Sequence, residues 1–279
     1  MDPLFPQNAV SSWQGIFIPF GRFVWLIRPH PNPLHTGYFA KGSLSRSEPT
    51  WLARTLQVAQ GNQDTVFLEH LTSDRRNQRR GKCADRDAEA SQQLLEHTQQ
   101  QDFEQWRLDV FEAFFLVYAL DALQIHLSTP ESLLSIEACW RLFSEGFRGS
   151  CVNTFSVQYA VYHHYRSLGW APKAGSKFGV DWVLYRPSRK HHHADYAVVV
   201  IPPECEHHPS MLDYPTLHRW TRVCTQIKKT LLLCYVTCPS PHCAVDLSPD
   251  ALASYRLKEV IVQRWSAEKN RNLKEEKSS

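Results

Sequence analysis

The sequence predicts an α+β fold, with a helical N-terminal region and a compact C-terminal α/β domain built on a mixed central sheet. Three observations carry that expectation. Val110, Phe111, Phe114, Phe115, Tyr118 and Leu120 recur at helical spacing. Between Gly169 and Gly179 the apolar period changes from that of a helix to the alternation of strands. Leu231 to Val236 is apolar without interruption, as in a strand at the middle of a sheet.

The totals set bounds. A chain of 279 residues suffices for one large domain or two small ones, and 43% hydrophobic with 21% charged residues is ordinary for a globular protein. A net charge of +3, with 14 histidines uncounted, allows a polyanionic partner without demanding one. No run reaches the roughly 18 apolar residues of a membrane span, so no membrane partner is expected. Met1-Asp2-Pro3-Leu4-Phe5-Pro6 lacks the basic segment and apolar core of a secretory signal. The eight cysteines are scattered and read as reduced and intracellular.

In chain order, residues 1–71 form a proline- and aromatic-rich region in which Ile16 to Ile18 and Phe23 to Ile27 read as short strands. Gly37 to Ser47 is a glycine-bounded element that ends in a basic, hydroxyl-rich loop. Residues 72–103 read as a mobile polar linker that opens with the basic run Arg75 to Lys82, a candidate RNA contact or nuclear address that is more often plain solvated linker. Residues 104–152 form a helical domain. After the aromatic helix, Ser128-Thr129-Pro130-Glu131 is a capping signal ahead of a helix carrying Leu133, Leu134, Trp140 and Phe143.

Residues 153–269 form the C-terminal domain. A helix ends at Leu168, where Gly169 can take the left-handed conformation and Pro172 forbids continuation. Gly175 and Gly179 then turn the chain. Val180, Trp182 and Leu184 are expected on one strand face, with Asp181, Val183 and Tyr185 on the other. Beyond the loop Pro187 to Lys190, a second strand alternates from His193 to Val200 and stops at Pro202-Pro203. Antiparallel pairing would bring Tyr185 and His193 together at one sheet end. A helix over 215–229 would bury Leu217, Trp220, Cys224 and Ile227 and carry Arg222 and Lys229 in line on the opposite face. Arg256 to Trp265 reads as the last strand, and residues 270–279 as a disordered tail.

Tyr185, His193 and Lys229 would suffice for metal-free cleavage of RNA. A ribose 2′-hydroxyl attacks its own phosphate while one group takes its proton, one protonates the departing 5′-oxygen, and a cation stabilises the phosphorane. DNA lacks that nucleophile. A tyrosine acting as base needs a neighbouring cation such as Lys229, and the chemistry leaves open which of Tyr185 and His193 is acid and which is base. Taken singly, each residue has a plainer reading: strand-end packing, a solvated imidazole, a lysine at a helix C-terminus. Cys238, His242 and Cys243 with Cys205, His207 and His208 could together supply four zinc ligands, but the spacing is not a standard one, so no metal and no cofactor are expected. His163 and His164, in mid-helix, are read as packing or surface residues.

The run Tyr165-Arg166 to Gly169-Trp170, the turn Lys177-Phe178-Gly179-Val180-Asp181 and the strand start His193-Ala194-Asp195-Tyr196 closely resemble the catalytic domain of the tRNA-splicing endonucleases. The resemblance spans about residues 105–268. The Gly37 to Ser47 element is similar to that of the eukaryotic catalytic subunit that cuts the 5′ splice site. The resemblance implies that Tyr185 is general base, His193 general acid and Lys229 the electrostatic stabiliser. It also implies that Arg222 and Trp265 sandwich a flipped-out RNA base. His193 is chosen over His191 and His192 because it alone precedes the alanine–x–tyrosine strand start, and Lys229 over Lys228 by its spacing from Arg222. The implied partners are precursor tRNA, a second catalytic subunit and two structural subunits in a nuclear heterotetramer, with one partner adding a strand near Val260 to Trp265. The alternatives kept are the sister subunit that cuts the 3′ splice site, a non-catalytic scaffold, and a metal-dependent nuclease using Asp181.

Overall fold

The computed structural model describes residues 13–27, 37–43, 105–127, 132–145, 147, 155–186, 193–203, 212–237 and 248–263. The linker over 72–103, the capping signal Ser128 to Glu131, the loop Pro187 to Lys190, the cysteines and histidines of the candidate zinc set, Trp265 and the tail lie outside those residues.

Among the described residues are two mixed five-stranded sheets and four α-helices. In the first part of the chain β1 (Trp13–Ile18) and β2 (Phe23–Ile27) form an antiparallel hairpin. β3 (Lys41–Gly42) and β4 (Trp106–Asp109) extend it on one side, and β5 (Leu123–His126) joins β1 in parallel on the other. The order is β3-β4-β2-β1-β5. The expected strands at 16–18 and 23–27 are present, and β4 and β5, which flank the aromatic helix, were not foreseen. The helical N-terminal region therefore carries a sheet of its own, in which strands from before and after residues 72–103 pair directly.

The aromatic helix is α1 (Val110–Tyr118), which ends at the Ala119 cap rather than at Leu120. Asp109 and Glu112 form a reciprocal capping box at its start. α2 (Ile136–Glu145) begins later than the sequence signal suggested, where the Ser135 hydroxyl accepts from the Ala138 N–H at 3.2 Å. Leu133 stays outside that helix and exposed, and Cys139, Trp140 and Phe143 form the buried stripe.

α3 (Phe155–Ser167) is the central element, with Phe155, Tyr159 and Tyr162 sealed from solvent. It closes as expected: Gly169 takes φ 83°, and the Trp170 N–H reaches back to the Tyr165 carbonyl at 2.9 Å. β6 (Ala171–Ala174), β7 (Trp182–Tyr185), β8 (Tyr196–Ile201), β9 (Thr230–Thr237) and β10 (Arg256–Val262) then build the second sheet in the order β10-β9-β8-β7-β6. Of the strand pairs described in this second sheet, only β8 with β9 is parallel. α4 (Tyr214–Gln226) lies between them in the chain, because parallel neighbours need a crossover.

One face of this sheet (Trp182, Leu184, Val198, Leu232, Cys234) joins the core of α1, α2, α3 and the first sheet. The other face (Val183, Ala197, Val199, Leu231, Leu233) packs under α4 through Cys224, with Leu217 and Trp220 alongside. The expected alternation fails at its first two positions. Val180 packs with Val183, and Asp181 faces α3, because the chain is still turning before Trp182. A Cβ at Gly175 would come within 2.5 Å of the Val180 side chain, which explains glycine at the start of that turn.

Candidate active site

Three chain segments reach the same end of the second sheet. β7 terminates at Tyr185, paired with Ala171. The last register pair between β7 and β8 is Leu184 with Tyr196. Tyr196 is also level with Thr230, the first residue of β9. Tyr185, the residues before Tyr196 and the residue before Thr230 therefore converge.

His193 precedes β8 instead of starting it, so the expected alternation from His193 does not hold. Ala194 is buried in the cluster under α4 together with Ala197, three residues on, a spacing that regular alternation forbids. The segment is held by its backbone. The Asp195 N–H donates to the Leu184 carbonyl at 3.1 Å, and the Asp195 carbonyl accepts from the Thr230 N–H at 3.0 Å. His193 itself is exposed.

Lys229 was expected on the helix, in line with Arg222. The helix stops at Gln226, with Ile227 as its cap. Lys228 adopts the left-handed region (φ 55°), its N–H bonds the Thr225 carbonyl at 3.2 Å, and the Lys229 N–H bonds the Cys224 carbonyl at 2.9 Å. This pair of bonds is a Schellman motif with lysine where glycine is usual. It throws Lys229 off the helical line and under the sheet end, where its Nζ donates to the Ala194 carbonyl at 2.7 Å and lies 5.6 Å from the centre of the Phe178 ring. Arg222 stays exposed on α4. Its expected stacking partner Trp265 lies outside the described residues.

Burial raises the Tyr185 phenol above its ordinary range, so in the free chain it is protonated. Burial lowers the Lys229 ammonium, an effect opposed by the nearby Asp195 carboxylate and then by Cys224. Among the described residues the three side chains form no hydrogen bond with one another. They are joined through the backbone of residues 194–195. A phenol, an imidazole and an ammonium at one sheet end comprise two groups able to exchange protons and one positive charge.

Asp181 is otherwise engaged. Its carboxylate accepts from the Val200 N–H at 2.8 Å and from Gln158 Nε2 at 3.1 Å, and Gln158 Oε1 in turn accepts from the Trp182 indole at 2.8 Å. Burial raises the Asp181 carboxyl. This is a packing network linking α3 to the second sheet. His163 and His164 are likewise away from the site: they line a cavity of about 390 Å³ between α3 and the segment 252–257, and His164 approaches Glu259 at 3.3 Å.

The sequence reading passed over two residues at the site. Arg186 Nε meets Asp195 Oδ2 at 2.7 Å across the strand ends. The available signal was opposite charges placed just inside the two ends of the β7–β8 connection. Arg166, which entered the sequence reading only as part of a motif, donates to the carbonyls of Gly37 (2.7 Å) and Tyr38 (3.3 Å) and to the Tyr162 hydroxyl (2.9 Å), with its guanidinium 3.9 Å from the centre of the Phe39 ring.

Comparison with known proteins agrees with the local pattern. Residues 155–240 match the tRNA intron endonuclease catalytic C-terminal domain. The chain is similar to the tRNA-splicing endonuclease subunit SEN2 of Eremothecium gossypii, with 30% identity covering 84% of this chain and 79% of that protein. It is 28% identical to the subunit SEN2 of Saccharomyces cerevisiae, over 85% of this chain and 80% of the yeast protein. With the mouse subunit Sen2 the identity is 34% over 62% of this chain. That match spans only 37% of the mouse protein, and the chicken match only 36% of its own.

Proposed function

Because the chain belongs to the Sen2 family of tRNA-splicing endonuclease subunits, we propose that it is a catalytic subunit that cuts precursor tRNA at the 5′ splice site. The reaction is a transesterification. The 2′-oxygen forms a bond to the adjacent phosphorus, the bond from phosphorus to the 5′-oxygen breaks, and the ends are a 2′,3′-cyclic phosphate and a 5′-hydroxyl. Tyr185 takes the proton of the 2′-hydroxyl, His193 delivers one to the 5′-oxygen, and Lys229 stabilises the charge on the phosphorane. Arg222 and Trp265 stack on an unpaired base of the substrate.

The observation that carries the reading is the seat of Lys229. A partly buried ammonium is held on the carbonyl of Ala194, the residue after His193, at the sheet end where Tyr185 also stops. A cation withdrawn from water in this way exerts more force on a bound anion than one in solvent. Because burial keeps the phenol protonated, it must first release its proton to solvent before it can take that of the 2′-hydroxyl.

Each of these relatives is named as a subunit. We further propose that the chain assembles into a nuclear heterotetramer with a second catalytic subunit and two structural subunits. β10 supports it, being an edge strand of the second sheet among the described residues, with Val260 and Ile261 exposed. The test is cleavage of an intron-bearing tRNA by the reconstituted assembly in chelator, with analysis of the new ends. Cyclic phosphate and 5′-hydroxyl ends at the 5′ splice site are expected. A 3′-hydroxyl with a 5′-phosphate, or cleavage lost in chelator, would overturn the mechanism.

A further inference from the structure

The proposed reaction places its two proton-transfer groups on either side of the connection between β7 and β8. Tyr185 is the last residue before it and His193 the first described residue after it. Their separation depends on what closes the base of that connection. The ladder between the strands ends at Leu184 and Tyr196, short of both groups.

Arg186 and Asp195 supply the closure. Their side chains meet at 2.7 Å from one strand end to the other. Arg186 is itself braced, with its guanidinium 5.3 Å from the centre of the Trp170 ring, and Trp170 packs edge-on against Tyr196 at 5.4 Å. Asp195 is fixed three times, by its N–H to Leu184, by its carbonyl to Thr230 and by its carboxylate to Arg186. The two sides of β7 are used differently. Tyr185 packs toward the cluster under α4, whereas Trp170, on which Arg186 lies, packs against the larger core. Arg186 is therefore turned away from the phenol and acts on it only through the backbone.

We propose that the Arg186–Asp195 ion pair is the positioning device of this site, closing the base of the β7–β8 connection so that Tyr185 and His193 keep the separation that in-line attack requires. Asp195 has a second effect, since its carboxylate favours the charged form of Lys229 against burial. This inference rests on the catalytic assignment of Tyr185, His193 and Lys229. Misplacing reacting groups by an ångström costs about 100-fold in rate.

The test uses the full chain in the reconstituted assembly, with an intron-bearing tRNA under single-turnover conditions. The variants are Asp195→Asn, Arg186→Gln, and the exchanged pair Arg186→Asp with Asp195→Arg. Each single variant is expected to slow cleavage about 10- to 100-fold while the Kd for the RNA moves less than about twofold. Well below the alkaline limb the exchanged pair should recover most of the rate lost by either single variant, while its alkaline limb stays shifted to lower pH because position 195 no longer carries an anion. Asp195→Asn alone should also shift the alkaline limb of the pH profile toward lower pH, because Lys229 loses its anion. Wild-type rates in both single variants, or losses that appear only as weaker RNA binding, would overturn the proposal. His193→Ala in parallel separates the two claims. If it cuts normally, the catalytic assignment fails; if it is inactive while Asp195→Asn is normal, only the ion pair's role fails.

Discussion

The ammonium of Lys229 donates to the carbonyl of Ala194 at 2.7 Å, one residue beyond His193. A cation from the end of α4 is thereby tied to the entry of β8, and through it to the end of β7. The Schellman motif at Lys228 and Lys229 makes this reach available, since a continued helix would have carried Lys229 along its own axis.

Removing the Lys229 ammonium should slow 5′ cleavage by about 100- to 1,000-fold, the usual cost of losing one preorganised stabilising group. Lys229→Ala in the reconstituted assembly measures this. The pH dependence has a definite sign. Burial lowers the Lys229 pKa below its ordinary 10.5, so the ammonium is present below that lowered value and is lost as pH rises through it. Cleavage should therefore fall on the alkaline side below pH 10.5. Lys229→Arg, whose guanidinium stays charged, should move that fall to higher pH even if its altered geometry slows the reaction. An unmoved alkaline limb would assign it to another group.

Lys228→Gly should stabilise the chain. Lys228 sits at φ 55°, and its side chain is exposed. Holding a non-glycine residue in the left-handed region costs about 1–3 kcal/mol, and the greater freedom of glycine in the unfolded chain offsets part of it. A gain of about 1 kcal/mol is expected in urea unfolding of the chain. A loss would mean that the lysine side chain makes a contribution larger than the backbone strain.

Arg166→Ala should destabilise the fold by about 2–4 kcal/mol, because the carbonyls of Gly37 and Tyr38 and the Tyr162 hydroxyl all lose the same donor. The effect should be local first. Tyr38 and Ala40 both have positive φ, and besides Arg166 the stretch is held by Glu112, whose carboxylate accepts from the Ala40 N–H at 3.2 Å and pairs with Lys173. Hydrogen exchange should show residues 37–43 opening before the second sheet does. Uniform protection across the chain would contradict this.

Asp181→Asn discriminates between packing and metal binding. An asparagine oxygen can still accept from Val200, but its amide nitrogen then faces Gln158 Nε2, whose own oxygen is committed to Trp182. The expected cost is about 1–3 kcal/mol of stability with cleavage by the intact assembly retained. Loss of cleavage with unchanged stability would instead make Asp181 part of the chemistry.

Much of the fold and of the candidate site was legible in the sequence, and for local reasons. The aromatic repeat from Val110, the left-handed glycine at Gly169 and the apolar run from Leu231 each express a period or a steric permission carried by neighbouring residues. Lys229 was selected by an argument from helical spacing that the structure does not follow. Nothing in a lysine pair announces that Lys228 takes the conformation usually left to glycine. β4 and β5 were missed because each is four residues long and borders an aromatic helix that dominates the pattern. The start of the β7 alternation was misplaced because Val180 and Asp181 still belong to the turn.

The sequence by itself determined which groups are present and in what local setting: a phenol at the end of one apolar strand, an imidazole before another, a lysine after a helix. Only the tertiary structure decided where they meet. The links that set their spacing, Lys229 to Ala194, Arg186 to Asp195 and Asp195 to Leu184 and Thr230, are hydrogen bonds and an ion pair between residues brought together by sheet register. Periodicity records which face a residue takes. It does not record the partner that waits on that face, because the partner is supplied by a strand or a turn elsewhere in the chain.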